Sequence, residues 1–184
     1  MNINTVLTEA DCLHSLDTVI AAIDHIAEQI DRRMQTELLR DKPLVCLSVM
    51  LGGLIFTGHL LPKLKTPLII DYIHATRYQG ETQGADLKWL KYPSVNLQGE
   101  TVLIIDDILD EGLTLKSLVD YCEQQGAKQV FTAVLVEKQL PMRRGLPQAD
   151  FVGLLVPNRY VFGFGMDYHE HLRSAAGIFA VKNQ

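Results

Sequence analysis

The amino-acid sequence predicts an α/β fold, in which a mostly parallel, twisted central sheet is flanked by helices. Short runs of apolar, β-branched residues alternate with longer segments of helical spacing along most of the 184 residues. Right-handed helical crossovers are the usual connection between parallel strands in such a pattern. No repeat or linker divides the chain, and 47% of its residues are hydrophobic, so we expect residues 1–184 to form one domain with a sizeable core.

Three segments have the spacing of a helix. Residues 15–39 place apolar side chains at every third or fourth position, with charged residues between them. A glycine pair at 52–53 leads into a second, more apolar helix that ends near Pro62. Residues 113–125 suit a third helix, which Gly126 ends.

Five apolar runs predict buried strands. They cover residues 44–49, 67–74, 101–106, 129–136 and 150–155. The first run belongs to an uncharged stretch, residues 43–62, that is long enough to span a bilayer. The glycine pair in its middle favours a strand, a turn and a helix instead, so we expect no membrane segment.

Residues 75–98 interrupt this alternation. The stretch is polar, contains Gly80 and Gly84, and lacks the spacing that would bury one face. Connections of this length without structure of their own are usually functional lids or disordered segments. We expect a mobile lid here; the alternative is a plain surface hairpin.

The composition excludes several classes of protein. Acidic residues outnumber basic ones by 22 to 17, a net charge of −5, whereas a general nucleic-acid-binding protein carries a basic surface. The hydrophobic content is too high for a disordered chain. The three cysteines follow no zinc or redox spacing, and residues 1–12 lack the features of a signal peptide. We therefore expect a cytoplasmic protein with no nucleic-acid partner.

The segment that indicates chemistry most strongly is residues 102–115, VLIIDDILDEGLTL. A buried strand is expected to end in Asp106 and Asp107, and Asp110 follows before a glycine and a helix. Ligands of open α/β sheets bind beyond the carboxyl ends of the strands, and a helix N-terminus offers N–H groups to an anion. The paired acids suit sugar hydroxyls or a hydrated magnesium ion. These features predict a phosphate-sugar site; the alternative is that the acids only cap a helix.

This segment resembles the signature of the type I phosphoribosyltransferases, which use 5-phosphoribosyl-1-pyrophosphate (PRPP): an apolar run, two acids, two apolar residues, then Asp-Thr/Ser-Gly-x-Thr. Between about Leu44 and Ala180 the chain is similar to the 6-oxopurine branch, the hypoxanthine-guanine phosphoribosyltransferases. The similarity includes residues 49–53, VMLGG, and residues 150–173. It implies the type I phosphoribosyltransferase fold with a small hood subdomain, whose C-terminal part is residues 150–184, and a lid over the active site.

The resemblance also implies how the substrate PRPP is bound. The implied binding residues are Leu51, Gly52, Thr76, Arg77, Tyr78, Asp106, Asp107, Asp110, Glu111, Gly112, Leu113, Thr114 and Arg173. Asp110 is expected to be the base near purine N7 as the glycosidic bond forms. Asp106 and Asp107 are expected to hold the ribose hydroxyls and, together with Asp167, the cofactor Mg²⁺. Arg173 is expected to contact the pyrophosphate.

For the purine base, the resemblance implies contacts with four residues. These are Lys138, Tyr160, Val161 and Asp167. The Lys138 ammonium would donate to the 6-oxo group and N7, which excludes a 6-amino purine because two donors would meet. Tyr160 would stack on the base, a contact worth about 1–3 kcal/mol.

Three positions depart from the family pattern. Glu111 stands where the family has Thr or Ser, and we expect its carboxylate to point away from the phosphate because like charges repel. Leu51 stands where many relatives have lysine, and it is expected to act through its backbone in a cis peptide. Thr76-Arg77 replaces part of the usual lid sequence, so Arg77 is expected to add charge near the pyrophosphate.

We therefore expect a purine salvage enzyme that converts PRPP and hypoxanthine or guanine to the nucleoside monophosphate and pyrophosphate, and that forms a homodimer or homotetramer. Two alternatives remain open: an RNA-binding regulator with the same fold, and an enzyme that prefers xanthine. The RNA-binding alternative requires a basic face, which the net charge of −5 disfavours.

Overall fold

The structure, a computed structural model, describes residues 3–37, 42–77 and 87–182. Its helices are α1 (Ile3–Glu9), α2 (Leu16–Glu37), α3 (Gly53–Leu60) and α4 (Leu113–Gln124), and a 3₁₀ turn follows α3 at Leu61–Lys63. Its strands are β1 (Asp11–Ser15), β2 (Leu44–Met50), β3 (Leu68–Arg77), β4 (Leu87–Lys91), β5 (Thr101–Leu109), β6 (Gln129–Lys138), β7 (Phe151–Val156), β8 (Val161–Phe162) and β9 (Gly177–Ala180).

Six of these strands form the central sheet, in the order β4-β3-β2-β5-β6-β7. β4 pairs antiparallel with β3, and the remaining neighbours are parallel. Parallel strands covered on both faces are expected to be continuously apolar, and β2, LVCLSVM, is buried along almost its whole length. The predicted α/β fold with a mostly parallel sheet is therefore confirmed.

Helices cover both faces of the central sheet. On one face, Ile23 and Ile30 of α2 pack with Phe56 of α3 and are fully buried. On the opposite face, Leu115 and Leu118 of α4 are buried against the sheet. The apolar stripe that predicted the first long helix is thus the face that this helix buries.

A second, three-stranded sheet forms the hood, in the order β1-β9-β8. β1 and β9 are antiparallel, with Asp11 opposite Ala180. Val6 of α1 packs against Phe162 and Val181 in a small core of its own. The N-terminal contribution to the hood was not predicted, because α1 and β1 are short and carry no clear apolar period.

The end of β5 differs from its predicted position. The strand continues to Leu109, because Ile108 and Leu109 still pair with Val136 and Glu137 of β6. The acid pair, which we define as Asp106 and Asp107, therefore lies inside the strand rather than at its end.

The segment predicted as a lid contains regular structure. β3 extends to Arg77, and β4 returns antiparallel beside it. The prediction that residues 75–98 bury no face was wrong, because Leu97 is 3% exposed and Trp89 packs against the same core. Residues 78–86, Tyr78 among them, lie outside the described residues, as do the side chains of Thr76 and Arg77.

The uncharged stretch 43–62 forms β2, a turn and α3, as predicted. Across the described ranges 3–37, 42–77 and 87–182, no helix combines the length and the apolar character needed to cross a membrane.

Candidate active site

Two adjoining cavities open at the carboxyl ends of the central strands. A cleft of about 270 Å³ is lined by residues 106–115. A second cavity, of about 250 Å³, lies between the ends of β2 and β5 and the hood residues Glu170 and Arg173. The acid pair and Thr114 line both cavities, so the predicted strand-end site is a continuous surface.

The loop between β5 and α4 depends on Gly112. This residue has a φ of +74° at the start of α4, a conformation that is costly for residues with a Cβ. A Cβ there would also lie 2.3 Å from the carbonyl oxygen of Leu146. Because the first N–H groups of a helix have no partner within it, the start of α4 brings free donors to the cleft.

Glu111, the departure within this loop, has a cationic partner. Its Oε2 lies 3.0 Å from Nε of Arg144. Both side chains are exposed, so the contact stabilises the fold little, but it places positive charge beside the carboxylate. The expected outward direction of Glu111 stays a prediction.

The acid pair is buried: Asp106 and Asp107 are each 8% exposed. The Asp107 N–H donates to Asp106 Oδ1 at 2.9 Å. Burial, followed by the neighbouring charge of Asp107, raises the pKa of Asp106 well above its usual value. Burial also raises the pKa of Asp107, against the opposing effects of a hydrogen bond with Asp106 and the charge of Arg173. Two carboxyl groups in this setting favour a cation or donor-rich ligand.

Two glycines allow the backbone to approach the acid pair. A Cβ on Gly52 would lie 2.1 Å from Asp107 Oδ2, and a Cβ on Gly165 of the hood would lie 2.1 Å from the Gly52 carbonyl oxygen. The β2–α3 turn is therefore packed between the acid pair and the hood. The peptide bond between Met50 and Leu51 in this turn is cis, as the family resemblance implied.

Arg173 lies in the hood and lines the second cavity together with this turn. Its Nη1 donates to the Gly165 carbonyl at 2.8 Å, and its Nη2 lies 2.9 Å from Asp167 Oδ1. The other carboxylate oxygen of Asp167 accepts from the Glu170 N–H at 2.9 Å. Arg173 lines the second cavity, whereas Asp167 lines neither cavity, so the structure does not bring Asp167 to the acid pair.

Lys138 meets Asp110, which lines the cleft. Lys138 Nζ lies 2.7 Å from Asp110 Oδ2. The Lys138 side chain is 13% exposed and that of Asp110 is 44% exposed, so the carboxylate is the more accessible partner. The structure thus joins two residues that were predicted to contact the purine from different segments of the chain.

The remaining predicted purine contacts lie in the hood. Tyr160 is 38% exposed, and its ring packs edge-on against Tyr168 with 5.4 Å between centroids. Val161 is buried in β8. The exposed Tyr160 ring has the area that stacking on a flat ligand requires.

Arg143 was not among the residues predicted from the sequence, although its guanidinium contacts the main chain of both Asp110 and Lys138. The available signal was weak: two consecutive arginines before a glycine, in the connection that follows β6.

The donor chemistry of the acid pair fits magnesium that is shared with a substrate. Among the described residues, no three or more His, Cys, Asp or Glu side chains are grouped to hold a metal by themselves. Mg²⁺ is commonly held by one or two carboxylates, with water and substrate oxygens completing its shell. Asp106 and Asp107 supply those carboxylates.

Asp106→Asn is expected to stabilise the unliganded protein near pH 8. The folded-state pKa of Asp106 is raised, so proton binding stabilises the fold below the unfolded pKa of about 3.9, and this contribution is lost as pH rises through the folded pKa. Asparagine carries no charge, so the cost of burying an ionised carboxylate at this position is removed. Each kcal/mol of stability gained in this way raises the melting temperature by about 2–4 °C. Thermal unfolding near pH 8 and near pH 4 should show the gain only at the higher pH. An unchanged or lower melting temperature near pH 8 would contradict the prediction.

Comparison with known proteins identifies the family. The model of the phosphoribosyl transferase domain family matches residues 9–170. Hypoxanthine-guanine phosphoribosyltransferase of Staphylococcus epidermidis is 34% identical over 149 residues, which cover 80% of this chain and 82% of that protein.

Solved structures agree with this match. A hypoxanthine phosphoribosyltransferase from Staphylococcus aureus has a TM-score of 0.86 at 26% identity, covering 98% of this chain and 97% of that one. The hypoxanthine phosphoribosyl transferase of Trypanosoma cruzi has a TM-score of 0.85 at 27% identity, covering 94% and 91%. The chain belongs to the phosphoribosyl transferase domain family.

Proposed function

We propose that this protein transfers the 5-phosphoribosyl group of PRPP to hypoxanthine or guanine, giving IMP or GMP and pyrophosphate in purine salvage. The observation that carries the proposal is the 2.7 Å contact between Lys138 and Asp110 beside a cleft that contains the acid pair. A cation next to a carboxylate matches an oxopurine, which accepts a hydrogen bond at O6 and loses a proton from N7 when N9 is substituted. The name of the Staphylococcus epidermidis relative supports the same substrates.

On the PRPP side, the start of α4 and Thr114 would bind the 5′-phosphate, because N-terminal N–H groups favour an anion. Asp106 and Asp107 would accept hydrogen bonds from the ribose hydroxyls. Leu51 and Gly52, in the turn packed on Asp107, and Arg173 would bind the pyrophosphate. Glu111, Gly112 and Leu113 would contribute through the backbone of the loop.

On the purine side, Lys138 would donate to O6 and, once Asp110 has taken the proton from N7, to N7 as well. Tyr160 would stack on the ring, and Val161 would contact it through its backbone. As the bond from purine N9 to C1′ forms and the bond from C1′ to pyrophosphate breaks, Asp110 would accept the proton that leaves N7. A carboxylate close to the developing positive charge of the sugar also stabilises the transition state. Asp167 would meet a guanine amine through its backbone.

Magnesium is the implied cofactor, and Asp106 and Asp107 are the residues that would hold it together with PRPP. When bound, the ion would neutralise charge on the leaving pyrophosphate. We extend the proposal to a cytoplasmic location, which the three free cysteines support, and to a lid role for residues 75–98.

The proposal is tested by pyrophosphate release with hypoxanthine, guanine, xanthine, adenine and uracil. Hypoxanthine or guanine should be used, and adenine should be slower by about 5- to 150-fold, because a buried donor left unpaired against the 6-amino group costs about 1–3 kcal/mol. Release with xanthine alone would favour the xanthine-preferring alternative. No release with any base would refute the proposed function, and a salt-dependent RNA shift in that case would favour the regulator.

Oligomerisation is the second part of the proposal. Ile70 of β3 is 62% exposed, Tyr72 is 39% exposed, and Leu54 of α3 is 50% exposed. Ile70 and Tyr72 lie in register with Cys46 and Ser48, which face α3, so these apolar side chains are on one face of the sheet. Exposed apolar patches of this kind commonly mark protein interfaces, and most homo-oligomers are two-fold symmetric. The Trypanosoma cruzi structure was determined to study the role of its C-terminal region on oligomeric state.

We expect light scattering at micromolar concentration to give at least the dimer mass. Ile70→Lys should shift the protein towards monomer, because it places a charge in the patch. Leu155→Lys is the matched control, since Leu155 is 54% exposed on β7, away from the patch. A monomer mass for the unaltered, active protein would exclude the oligomer.

A further inference from the structure

Arg143 joins the ends of two neighbouring strands. Its side chain is 8% exposed. Its Nε donates to the Asp110 carbonyl at 2.9 Å, and its Nη2 donates to the Lys138 carbonyl. Its Nη1 donates to the Pro147 carbonyl at 2.9 Å, and Nη2 lies 3.1 Å from Glu137 Oε1. All three guanidinium nitrogens are therefore engaged by protein acceptors.

The contacts of Arg143 lie just beyond the last paired residues of β5 and β6. The last paired residues of β5 and β6 are Leu109 and Glu137. Asp110 and Lys138 come immediately after that pair, so the β5–β6 ladder does not fix their relative position. Arg143 takes the place of the missing ladder bonds, because it holds the carbonyl groups of both residues on one rigid fork.

We infer that Arg143 is a positioning residue for the purine side of the site, an inference that rests on the proposed roles of Asp110 and Lys138. It acts through the main chain of these two residues, whose side chains meet at 2.7 Å. Misplacement of a reacting group by about 1 Å reduces rates by about 10²-fold, so small shifts of these carbonyls matter. Only arginine has the planar fork for this arrangement; a lysine ammonium is a point charge that donates from one atom.

The PRPP side has separate supports. The Gly145 N–H donates to the Glu111 carbonyl at 3.0 Å, and the Leu146 N–H donates to the Gly112 carbonyl at 2.9 Å. These are main-chain bonds that a change of the Arg143 side chain leaves in place. The two substrates should therefore respond differently when Arg143 is altered.

The test is Arg143→Lys, which keeps the charge beside Glu137 and removes the fork. We expect kcat/KM for hypoxanthine to fall by about 10²-fold, as for a misplaced catalytic group. The dissociation constant of PRPP alone, measured by calorimetry, should change by less than about threefold, or less than 0.7 kcal/mol at about 1.4 kcal/mol per tenfold.

Two controls separate positioning from stability. Arg33→Lys changes an arginine on α2 that is 52% exposed and bonded to Glu37, and it should leave both parameters unchanged. Ile30→Val loosens the fully buried α2 core, and it should lower the melting temperature without a selective loss on hypoxanthine. If Arg143→Lys does not fold, the second variant is Glu137→Gln, which removes only the charge of the carboxylate beside the fork. It should also lower kcat/KM for hypoxanthine while leaving the dissociation constant of PRPP unchanged, but by a smaller factor.

Unchanged hypoxanthine kinetics in Arg143→Lys, an equal loss of PRPP affinity, or the same loss in Ile30→Val would each overturn the inference. The unaltered protein is assayed in parallel. If it transfers to no base, the proposed function fails and the inference with it. If it is active while Arg143→Lys is also fully active, the inference alone fails.

Discussion

Asp110→Asn is expected to lower turnover with hypoxanthine by about 10²–10⁴-fold, the usual contribution of a positioned acid–base group. Asparagine has the same size, and its amide oxygen can still accept from Lys138, which lies 2.7 Å from the carboxylate. The Asp110 carbonyl that Arg143 contacts is also unaffected. The variant therefore loses the ability to take a proton while the surrounding geometry persists, and PRPP binding should change little.

Single-turnover rates and calorimetric PRPP binding measure the two quantities separately. Asp120→Asn is the matched control, because Asp120 is an exposed carboxylate on α4 that pairs with Lys116. This control should keep full turnover. Turnover of Asp110→Asn within a few-fold of the unaltered protein would remove Asp110 from its proposed role.

Gly52→Ala is expected to abolish most of the activity by a different route. The backbone of Gly52 has φ −57° and ψ −48°, which alanine adopts without strain. The added Cβ would lie 2.1 Å from Asp107 Oδ2 and 2.5 Å from its Cγ, so the buried carboxylate must move. Asp107 lies in a closely packed strand and cannot move away from the added Cβ, so the turn should shift away from the acid pair. We therefore expect kcat/KM for PRPP to fall by about 10²-fold or more.

Gly58→Ala is the control for this change, because it adds the same atom within α3, the helix that Gly52 precedes, where nothing lies within 4 Å. Alanine favours the helix by up to about 1 kcal/mol over glycine, so this control should be at least as stable as the unaltered protein and fully active. PRPP affinity of Gly52→Ala equal to that of Gly58→Ala would show that Asp107 tolerates the Cβ and that the turn is not part of the site.

The parts of the fold that follow from periodicity were predicted well. Alternation of apolar runs with helical spacing identified the central sheet and α2, because burial alone imposes those periods. The end of β5 was misplaced because carboxylates seldom lie within a buried strand, and Asp106 remains there only because the strand pairs on to Leu109. β1 was not predicted, because it is short and its partner, β9, is remote in sequence.

The candidate site was also predicted only in part from the sequence. The 106–114 segment is contiguous, so its acids, glycine and threonine could be located from spacing. The contact of Lys138 with Asp110 and the anchoring of both by Arg143 depend on side chains that meet only across the folded sheet, and no local period reports them. Trp89 was likewise assigned to a polar loop, although it stacks on Tyr92 at 4.7 Å.

The pairing of Asp11 with Ala180 has a consequence for the order in which the site is assembled. The 106–114 segment closes through neighbours in sequence, whereas the hood that carries Tyr160 and Val161 requires β1 and β9 from opposite ends of the described chain. Contacts between distant segments form late in folding, because their loop-closure entropy must be offset by structure already present. We therefore expect residues 106–114 to reach their positions before the hood sheet forms, and Tyr160 and Val161 to be placed in the last step of folding.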